Sequence, residues 1–262
     1  MTTQSDKTNE LSKTIVEIGR RMYEKGFVAA NDGNITVRLD EQQILTTPTG
    51  VSKGFMTAEQ MVVVDLQGNV VAGGRPSTEL PLHLFIYKER PDVQAVVHAH
   101  PPYSTGFATA GEALDKCVFA EVVVTIGSIP LAEYGTPSTE ELPNTLKPYI
   151  HTTDAFLLAN HGVVAIGKDL MDAYFKMERV EHTAKIVFVA RALGGEQVLP
   201  QEKVKRLFDL RESYGANSLN PGCYACYEDC IGDSCINYPV KYDPSGPDYF
   251  NEIVEKVLVA VR

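Results

Sequence analysis

Two apolar segments separated by one polar tripeptide constrain the fold of this chain more than any other feature. Residues 155–159 and 163–166 are almost wholly apolar and too short for typical helices, so each indicates a buried strand. Asn160-His161-Gly162 interrupts them and favours a tight turn between paired strands. From Asp169, a capping residue type, a long segment has apolar residues at helical spacing. A buried strand pair followed by a long helix predicts a layered α/β fold.

Further strands and helices of the same kind are predicted along the first 215 residues. Strands are predicted at residues 35–39, 43–46, 61–65, 95–99 and 118–125. Helices are predicted from Leu11 to near Gly26 and from Ser77 to about Arg90, where Pro91 stops the second one. The loop over residues 47–54 is too rich in Gly, Pro and Thr for regular structure.

The character of the sequence changes at about residue 216. Gly, Pro, Asn, Tyr and Cys dominate as far as residue 247, and residues 250–261 then carry an apolar stripe at helical spacing. A length of 262 residues suits one large domain, or one domain with an appendage. We therefore predict a catalytic-type core over residues 1–215, followed by a Cys-rich linker and an amphipathic helix over residues 216–262.

The charge of the chain excludes some partners. With 24 Lys and Arg against 34 Asp and Glu, the formal net charge is -10. Such a surface repels phosphate backbones and anionic lipid, so neither nucleic acid nor a membrane is an expected partner. An anionic substrate would need local attraction from backbone N–H groups and a metal. The beginning of the sequence lacks a secretory signal pattern, so we expect a cytoplasmic protein.

The tripeptide His98-Ala99-His100 is the most specific local signal for chemistry. On an extended strand, side chains two residues apart share a face and lie roughly 6–7 Å apart along it. Two such imidazoles can bind one divalent ion, and His161 is the obvious third ligand. The same residues could instead be satisfied polar groups at strand ends. The other histidines are expected to be structural or solvated: His83, His151 and His182.

Glu79 and two glycine-containing loops are the remaining candidates in the predicted core. Glu79 lies in the first turn of a predicted helix, where acids are favoured for capping and dipole reasons. A carboxylate beside a metal can also serve as a ligand or a proton carrier. The loops at residues 32–34 and 49–50 could present backbone N–H groups to a phosphate, or could be ordinary turns.

The appendage contains a cysteine cluster that admits two interpretations. Four thiols are enough for a second metal site holding zinc or an iron–sulfur cluster, or they are unpaired cysteines in a linker. The cluster comprises Cys223, Cys226, Cys230 and Cys235. The terminal helix either packs on the core or resembles the encapsulation peptides that direct enzymes into bacterial microcompartments.

Taken together, five stretches resemble the class II aldolase/adducin family, and within it the L-fuculose-phosphate aldolases. They occur in the family's order and spread over residues 10–215. The matching stretches are residues 31–38, 47–50, 76–79, 97–100 and 159–167. The resemblance implies a three-layer α/β/α fold around a mainly antiparallel sheet, usually in a fourfold-symmetric homotetramer with sites near the subunit interfaces.

The resemblance also implies the roles of individual residues. It assigns zinc to His98, His100 and His161, and makes Glu79 a further ligand that becomes the catalytic base when substrate displaces it. It implies a tyrosine that reaches a neighbouring subunit's site, which Tyr214 matches in position. The implied phosphate site comprises Gly33, Asn34, Thr49, Gly50, Ser77 and Thr78.

The implied reaction is retro-aldol cleavage of a ketose 1-phosphate to dihydroxyacetone phosphate and a short aldehyde such as lactaldehyde. One residue departs from the aldolase pattern: Phe119 stands where the aldolases have a proton-donating tyrosine, and a phenyl ring donates no proton. Glu121 lies near the position of a catalytic glutamate in related dehydratases. A sugar-phosphate dehydratase, a 4-epimerase, a decarboxylase and an adducin-like binding module therefore stay open as alternatives.

Overall fold

The computed structural model of the protein describes residues 4–214. Within this range the strands are β1 (Asn34–Arg38), β2 (Gln43–Thr46), β3 (Val62–Asp65), β4 (Val70–Ala72), β5 (Ala95–Ala99), β6 (Leu131–Ala132), β7 (Ala155–Leu158) and β8 (Gly162–Gly167). The helices are α1 (Gln4–Glu24), α2 (Leu80–Glu89), α3 (Pro102–Ala110), α4 (Ala120–Thr125), α5 (Glu141–Thr145), α6 (Leu170–Ala192) and α7 (Gln201–Leu210). Short 3-10 helices occupy Lys53–Phe55, Ala58–Gln60 and Arg211–Tyr214.

The strands form one open sheet in the order β4-β3-β2-β1-β5-β8-β7-β6. Each neighbouring pair is antiparallel except β6 and β7, which run parallel. Strand β5 lies at the centre, hydrogen-bonded to β1 on one side and to β8 on the other. The predicted mainly antiparallel sheet is confirmed.

Helices cover both faces of the sheet, because the central strands carry apolar side chains on both sides. Strand β5 shows the alternation: Val97 faces one cluster and Val96 the other. The first cluster joins the sheet to α1 and α6 and includes Ile18, Ile35, Val163 and Met177. The second joins it to α2 and α5 and includes Ile86, Leu142, Val164 and Ile166. The predicted three-layer α/β/α architecture is therefore confirmed.

The end of α1 and the beginning of α6 lie where the sequence predicted them. Helix α1 begins at Gln4, earlier than the predicted Leu11, and ends at Glu24, just before Gly26 with its positive φ of 71°. At the start of α6 the Asp169 carboxylate accepts a hydrogen bond of 2.8 Å from the Asp172 N–H, as expected of a capping residue.

The strand predicted at residues 118–125 is wrong. Residues Ala120–Thr125 form helix α4, in which three consecutive valines are buried. Val123 packs in a small cluster with Cys117 and with Val204 of α7. Strand propensity measures how well a side chain fits its packing surroundings, and here contact with a helix decides the structure.

The predicted appendage over residues 216–262 lies outside the described residues. So do the cysteine cluster and the terminal amphipathic helix, and the proposed domain boundary stays a prediction. In residues 4–214 no helix combines the length and the apolar character that crossing a bilayer requires.

Candidate metal centre

The candidate site lies at one edge of the sheet, where β5 ends and β8 begins. These strands pair antiparallel with Ala99 opposite Val163, so His100, just after β5, comes beside His161, just before β8. Asn34 begins β1 and pairs with His98. The register of three strands therefore brings together residues that are far apart in the sequence.

The imidazoles of His98, His100 and His161 face one another at this edge. Their ring centroids are 4.8 to 5.1 Å apart, and each ring offers a nitrogen within 4.8 Å of the others. The Nδ1 atom of His98 lies 2.9 Å from the Val163 carbonyl oxygen, which fixes the ring and leaves Nε2 directed at His100 Nε2, 3.2 Å away. The three histidines that the sequence singled out therefore come together and could hold a metal ion.

Glu79 completes the cluster. Its Oε1 lies 3.0 Å from His161 Nε2, and its Oε2 lies 3.4 Å from His98 Nε2. Asn34 donates a hydrogen bond of 2.8 Å from its side-chain amide to Oε2. Although Glu79 occupies the capping position of α2, its side chain makes no capping hydrogen bond. The capping explanation of Glu79 therefore fails, because the carboxylate faces the histidines.

Ser77 and Glu79 are linked through the turn that precedes α2. The Ser77 hydroxyl accepts a hydrogen bond of 3.3 Å from the Glu79 backbone N–H, and the helix begins at Leu80. The helix thus starts three residues later than predicted. This turn orients the Glu79 backbone so that its side chain reaches the sheet edge.

Charge and burial set the protonation states of the cluster. Burial raises the pKa of Glu79, but the positive charge of His98 and hydrogen bonds from His161 and His98 outweigh it and hold the pKa below its usual range. Burial lowers the pKa of His98, and the nearby Glu79 carboxylate more than compensates. Burial and the charges of His98 and His161 lower the pKa of His100 to about 4. At neutral pH, His100 therefore offers a neutral nitrogen.

The donor set fits a divalent transition metal. Three imidazoles with one carboxylate are a typical zinc donor set, whereas Mg²⁺ and Ca²⁺ prefer oxygen alone. The Nδ1 atom of His98 is occupied by a carbonyl oxygen, the contact that typically orients a metal-binding histidine. His161 Nδ1 is buried and has no hydrogen-bond partner within the described residues.

Backbone hydrogen bonds hold the three predicted phosphate loops side by side. Thr47 N–H donates to Ile35 O over 3.1 Å, and Ser77 N–H donates to Thr47 O over 3.2 Å. Thr49 N–H donates to Arg75 O over 3.1 Å. These bonds bring the six residues of the predicted phosphate site next to one another and next to Glu79. The six are Gly33, Asn34, Thr49, Gly50, Ser77 and Thr78. Their role in binding phosphate stays a prediction.

Gly33 is required where the first of these loops meets β5. Its φ is +73°, and a Cβ atom there would lie 2.8 Å from the His98 carbonyl oxygen. No other residue type fits both the conformation and the close approach.

Tyr214, Phe119 and Glu121 lie in the C-terminal half of the described chain. Tyr214 ends the 3-10 helix Arg211–Tyr214, and its catalytic role stays a prediction. Phe119 immediately precedes α4, and its ring packs edge to face on His182, with centroids 6.2 Å apart. Glu121 is exposed on α4.

The other histidines lie where the sequence predicted. His83 is fully buried, with Nδ1 2.8 Å from the Thr36 hydroxyl, and burial lowers its pKa to about 3. His151 and His182 are exposed. His83 Nε2 is buried without a hydrogen-bond partner among residues 4–214, and none of the three histidines belongs to the group that could hold a metal ion.

Sequence reasoning missed two charged residues near the cluster. Asp32 Oδ2 lies 3.5 Å from His100 Nδ1, where it can orient the ring. Lys53 is buried at the start of the 3-10 helix Lys53–Phe55, at the end of the segment 47–54 that the sequence predicted to be irregular throughout. A charged residue in an otherwise uncharged loop of Gly, Pro and Thr was the signal that could have identified Lys53.

The chain matches known proteins over most of its length. It is 38% identical over 200 residues to a 3-oxo-tetronate 4-phosphate decarboxylase of Haemophilus influenzae, which covers 74% of this chain and 93% of that protein. It is 35% identical over 178 residues to an L-fuculose phosphate aldolase of Methanococcus maripaludis, covering 68% of this chain and 96% of that protein.

A solved structure of an L-fuculose 1-phosphate aldolase has the same fold. It superposes with a TM-score of 0.72 at 32% sequence identity and covers 79% of this chain and 96% of the other. The model of the family described as "Class II Aldolase and Adducin N-terminal domain" matches residues 13–188, a range that contains the three histidines, Glu79 and all three loops. The chain therefore belongs to the class II aldolase and adducin family, and within it is similar both to L-fuculose-phosphate aldolases and to a 3-oxo-tetronate 4-phosphate decarboxylase.

Proposed function

We propose that the protein is a zinc-dependent aldehyde-lyase. Its reaction is retro-aldol cleavage of a ketose 1-phosphate of the fuculose or rhamnulose type to dihydroxyacetone phosphate and a short aldehyde such as lactaldehyde. The observation that carries this proposal is the convergence of three imidazoles and the Glu79 carboxylate at one sheet edge, beside three adjacent loops.

The proposed zinc ligands are His98, His100 and His161, with Glu79 as the fourth in the resting enzyme. Bound zinc would supply Lewis-acid stabilisation of the negative charge that develops on substrate oxygen when the carbon–carbon bond breaks. The histidines are neutral donors, so a bound cation would keep its full charge for the substrate once the Glu79 carboxylate is displaced. Asp32, beside His100, orients that ring.

Glu79 is the proposed base. Its carboxylate stays ionised at neutral pH and accepts a hydrogen bond from the Asn34 amide. In this position it takes a proton from a substrate hydroxyl and returns it to carbon after cleavage. Its contacts with His98 and His161 must loosen for this role, which a substrate entering between them would achieve.

The three loops would bind the substrate phosphate. Backbone N–H groups at Gly33 and Gly50 and the hydroxyls of Thr49, Ser77 and Thr78 are suited to phosphate oxygens. Such local donors are needed because the net charge of -10 repels anions at long range. Tyr214 is the proposed hydrogen-bond donor to the oxygen of the leaving aldehyde, which it polarises without a net proton transfer in the cleavage direction.

Decarboxylation of a 3-oxo-tetronate 4-phosphate is the second candidate function. One relative at 38% identity carries that name, and Phe119 replaces the tyrosine that an aldolase would use to protonate the aldehyde oxygen. Loss of CO₂ leaves negative charge on the same kind of substrate oxygen, so the same metal and loops would serve both reactions. A dehydratase, a 4-epimerase and an adducin-like binding module have less support.

The localisation, oligomeric state and partners of the protein are proposed from its charge and from its resemblance to the family. We propose a cytoplasmic homotetramer with no nucleic-acid or membrane partner. The terminal segment is a candidate for recognition by a microcompartment shell, and the cysteine cluster is a candidate second metal site. Both features belong to residues outside the described range.

Product analysis tests the proposal. Zinc-loaded protein is incubated separately with fuculose 1-phosphate, rhamnulose 1-phosphate and 3-oxo-tetronate 4-phosphate, with the His98→Ala variant as control. Dihydroxyacetone phosphate and lactaldehyde from either ketose support the aldolase, whereas CO₂ from the third substrate supports the decarboxylase. Turnover of none of them, or equal turnover by His98→Ala, would contradict both.

A further inference from the structure

Lys53 is a lysine buried between two of the phosphate loops. The residue is 2% exposed. The Nζ atom donates hydrogen bonds to the Asn31 carbonyl oxygen over 3.0 Å and to the Val51 carbonyl oxygen over 2.7 Å. Asn31 lies two residues before Gly33, and Val51 directly follows Gly50. The ammonium group therefore joins the loop that contains Gly33 and Asn34 to the loop that contains Thr49 and Gly50.

The charge of Lys53 is not neutralised by a direct partner. Among residues 4–214, no carboxylate lies within ion-pair distance of its Nζ, whereas the buried Arg90 pairs with Asp92 and Lys176 pairs with Asp154. Burial lowers the pKa of Lys53 to about 8, while the more distant Asp32 and Glu79 raise it. Lys53 is therefore mainly positive at neutral pH. An apolar residue of similar size would avoid this desolvation cost, so packing alone does not explain a lysine here.

The backbone of Lys53 packs closely against α1. A Cβ atom on Gly19 would lie 2.7 Å from the Lys53 carbonyl oxygen, so the helix and the loop touch through a glycine. The lysine is therefore held at its backbone by a helix and extends under both loops. A rigid anchor of this kind is what a precise binding loop requires.

We propose that Lys53 is a positioning residue of the phosphate subsite, which fixes the two loops to each other and places a positive charge behind them. This inference rests on the proposed function, because it concerns how that site selects a phosphorylated substrate. Lys53 acts through the loop backbones, since its own buried ammonium group is already bonded to their carbonyl oxygens.

The experiment compares two neutral variants, Lys53→Met and Lys53→Gln, with the charged variant Lys53→Arg. Lys176→Met is the matched control, because Lys176 is also a largely buried lysine and donates to Ile166 O at the opposite end of β8 from His161. For each zinc-loaded protein, the dissociation constant for inorganic phosphate, the zinc content, the melting temperature and the values of kcat and KM are measured. The substrate is the phosphorylated sugar that the parent protein turns over.

We expect both neutral variants to bind inorganic phosphate at least about tenfold more weakly and to raise KM by a similar factor, which corresponds to the loss of about 1.4 kcal/mol. Zinc content and kcat should change much less. Lys53→Arg should restore most of the affinity, since a guanidinium keeps the charge and can donate to both carbonyl oxygens. Lys176→Met should leave phosphate affinity unchanged.

The outcomes separate this inference from the proposed function. If the parent binds phosphate and the folded neutral variants bind it equally well, only the role of Lys53 is overturned. If both neutral variants fail to fold, Lys53 is structural and the inference is again overturned. If the parent binds no phosphate and turns over no phosphorylated sugar, the proposed function fails together with the inference.

Discussion

The backbone of Gly162 lies against the ring of His100. A Cβ atom on Gly162 would lie 2.5 Å from His100 Cδ2 and 2.5 Å from the Ala99 carbonyl oxygen. The glycine is therefore needed for contact rather than for a special backbone conformation. It lets β8 approach the end of β5 closely enough for His100 and His161 to face each other.

Adding one methyl group at this position should disturb the metal site. We expect Gly162→Ala to bind zinc on the order of 10–100-fold more weakly, because His100 must move. The free energy of unfolding should fall by about 1–3 kcal/mol, because the added atom meets backbone. Zinc titration and denaturant unfolding measure the two effects. Gly106→Ala is the control: a Cβ there meets nothing within 4 Å in helix α3, so the fold should be unchanged or slightly more stable.

Removing one imidazole should remove the metal. We expect His161→Ala to lower the zinc content well below that of the parent protein, because the variant loses one of the four proposed ligands and the contact that holds the Glu79 carboxylate at the site. Elemental analysis after dialysis against a weak chelator measures the content. His182→Ala changes an exposed histidine and should keep the zinc. Equal zinc in both variants would contradict the assignment of His161.

Neutralising Glu79 should separate catalysis from metal binding. We expect Glu79→Gln to lower kcat by a factor on the order of 10²–10⁴, because the amide cannot accept the proton. Zinc should remain bound through the three histidines. The matched control is Glu121→Gln, on an exposed residue of α4, which should keep full activity. A loss of activity in Glu121→Gln with normal activity in Glu79→Gln would instead favour the dehydratase pattern.

The stability of the metal-free protein should depend on pH through Lys53. Its pKa is lowered from 10.5 to about 8 in the folded protein, mainly by burial. Between these two values the unfolded chain binds the proton and the folded chain does not, so stability rises with pH. At each pH we compare the free energy of unfolding of the parent with that of Lys53→Met. We expect this difference to shift in favour of the parent by about 3 kcal/mol between pH 8 and pH 10.5. Urea unfolding at several pH values measures it, and a difference independent of pH would contradict the burial of a charged lysine.

The helices and strands that the sequence predicted well share one property: their apolar residues form an unbroken run or recur at a regular spacing. The central strands and α6 are long or apolar enough to be recognised without tertiary information. Helix α3 was missed because Pro102–Ala110 is short and mixes small and polar residues without a clear stripe. Helix α4 was predicted as a strand because Val122, Val123 and Val124 are β-branched, and only packing on α7 identifies them as helical.

The residues of the candidate site likewise fall into those that the sequence could predict and those that it could not. His98 and His100 were identifiable from their spacing on a strand, and His161 from its place between two strands. That Glu79 faces them depends on where α2 lies against the sheet, which its sequence leaves undecided between capping and chemistry. The sequence marks Lys53 as the one charged residue of residues 47–54, but it does not predict that this lysine is buried, because lysines are almost always exposed.

The position of β5 between β1 and β8 has a consequence for how enzymes of this kind can diversify. Inserting one residue within β5 would turn His98 to the opposite face of the sheet and direct Val97 at the cluster instead. The edge that carries the candidate metal site therefore depends on the length of this strand. The segment that carries Phe119 lies outside these strands, so a substitution there can alter the chemistry beside the cluster without changing the register that brings the three histidines together.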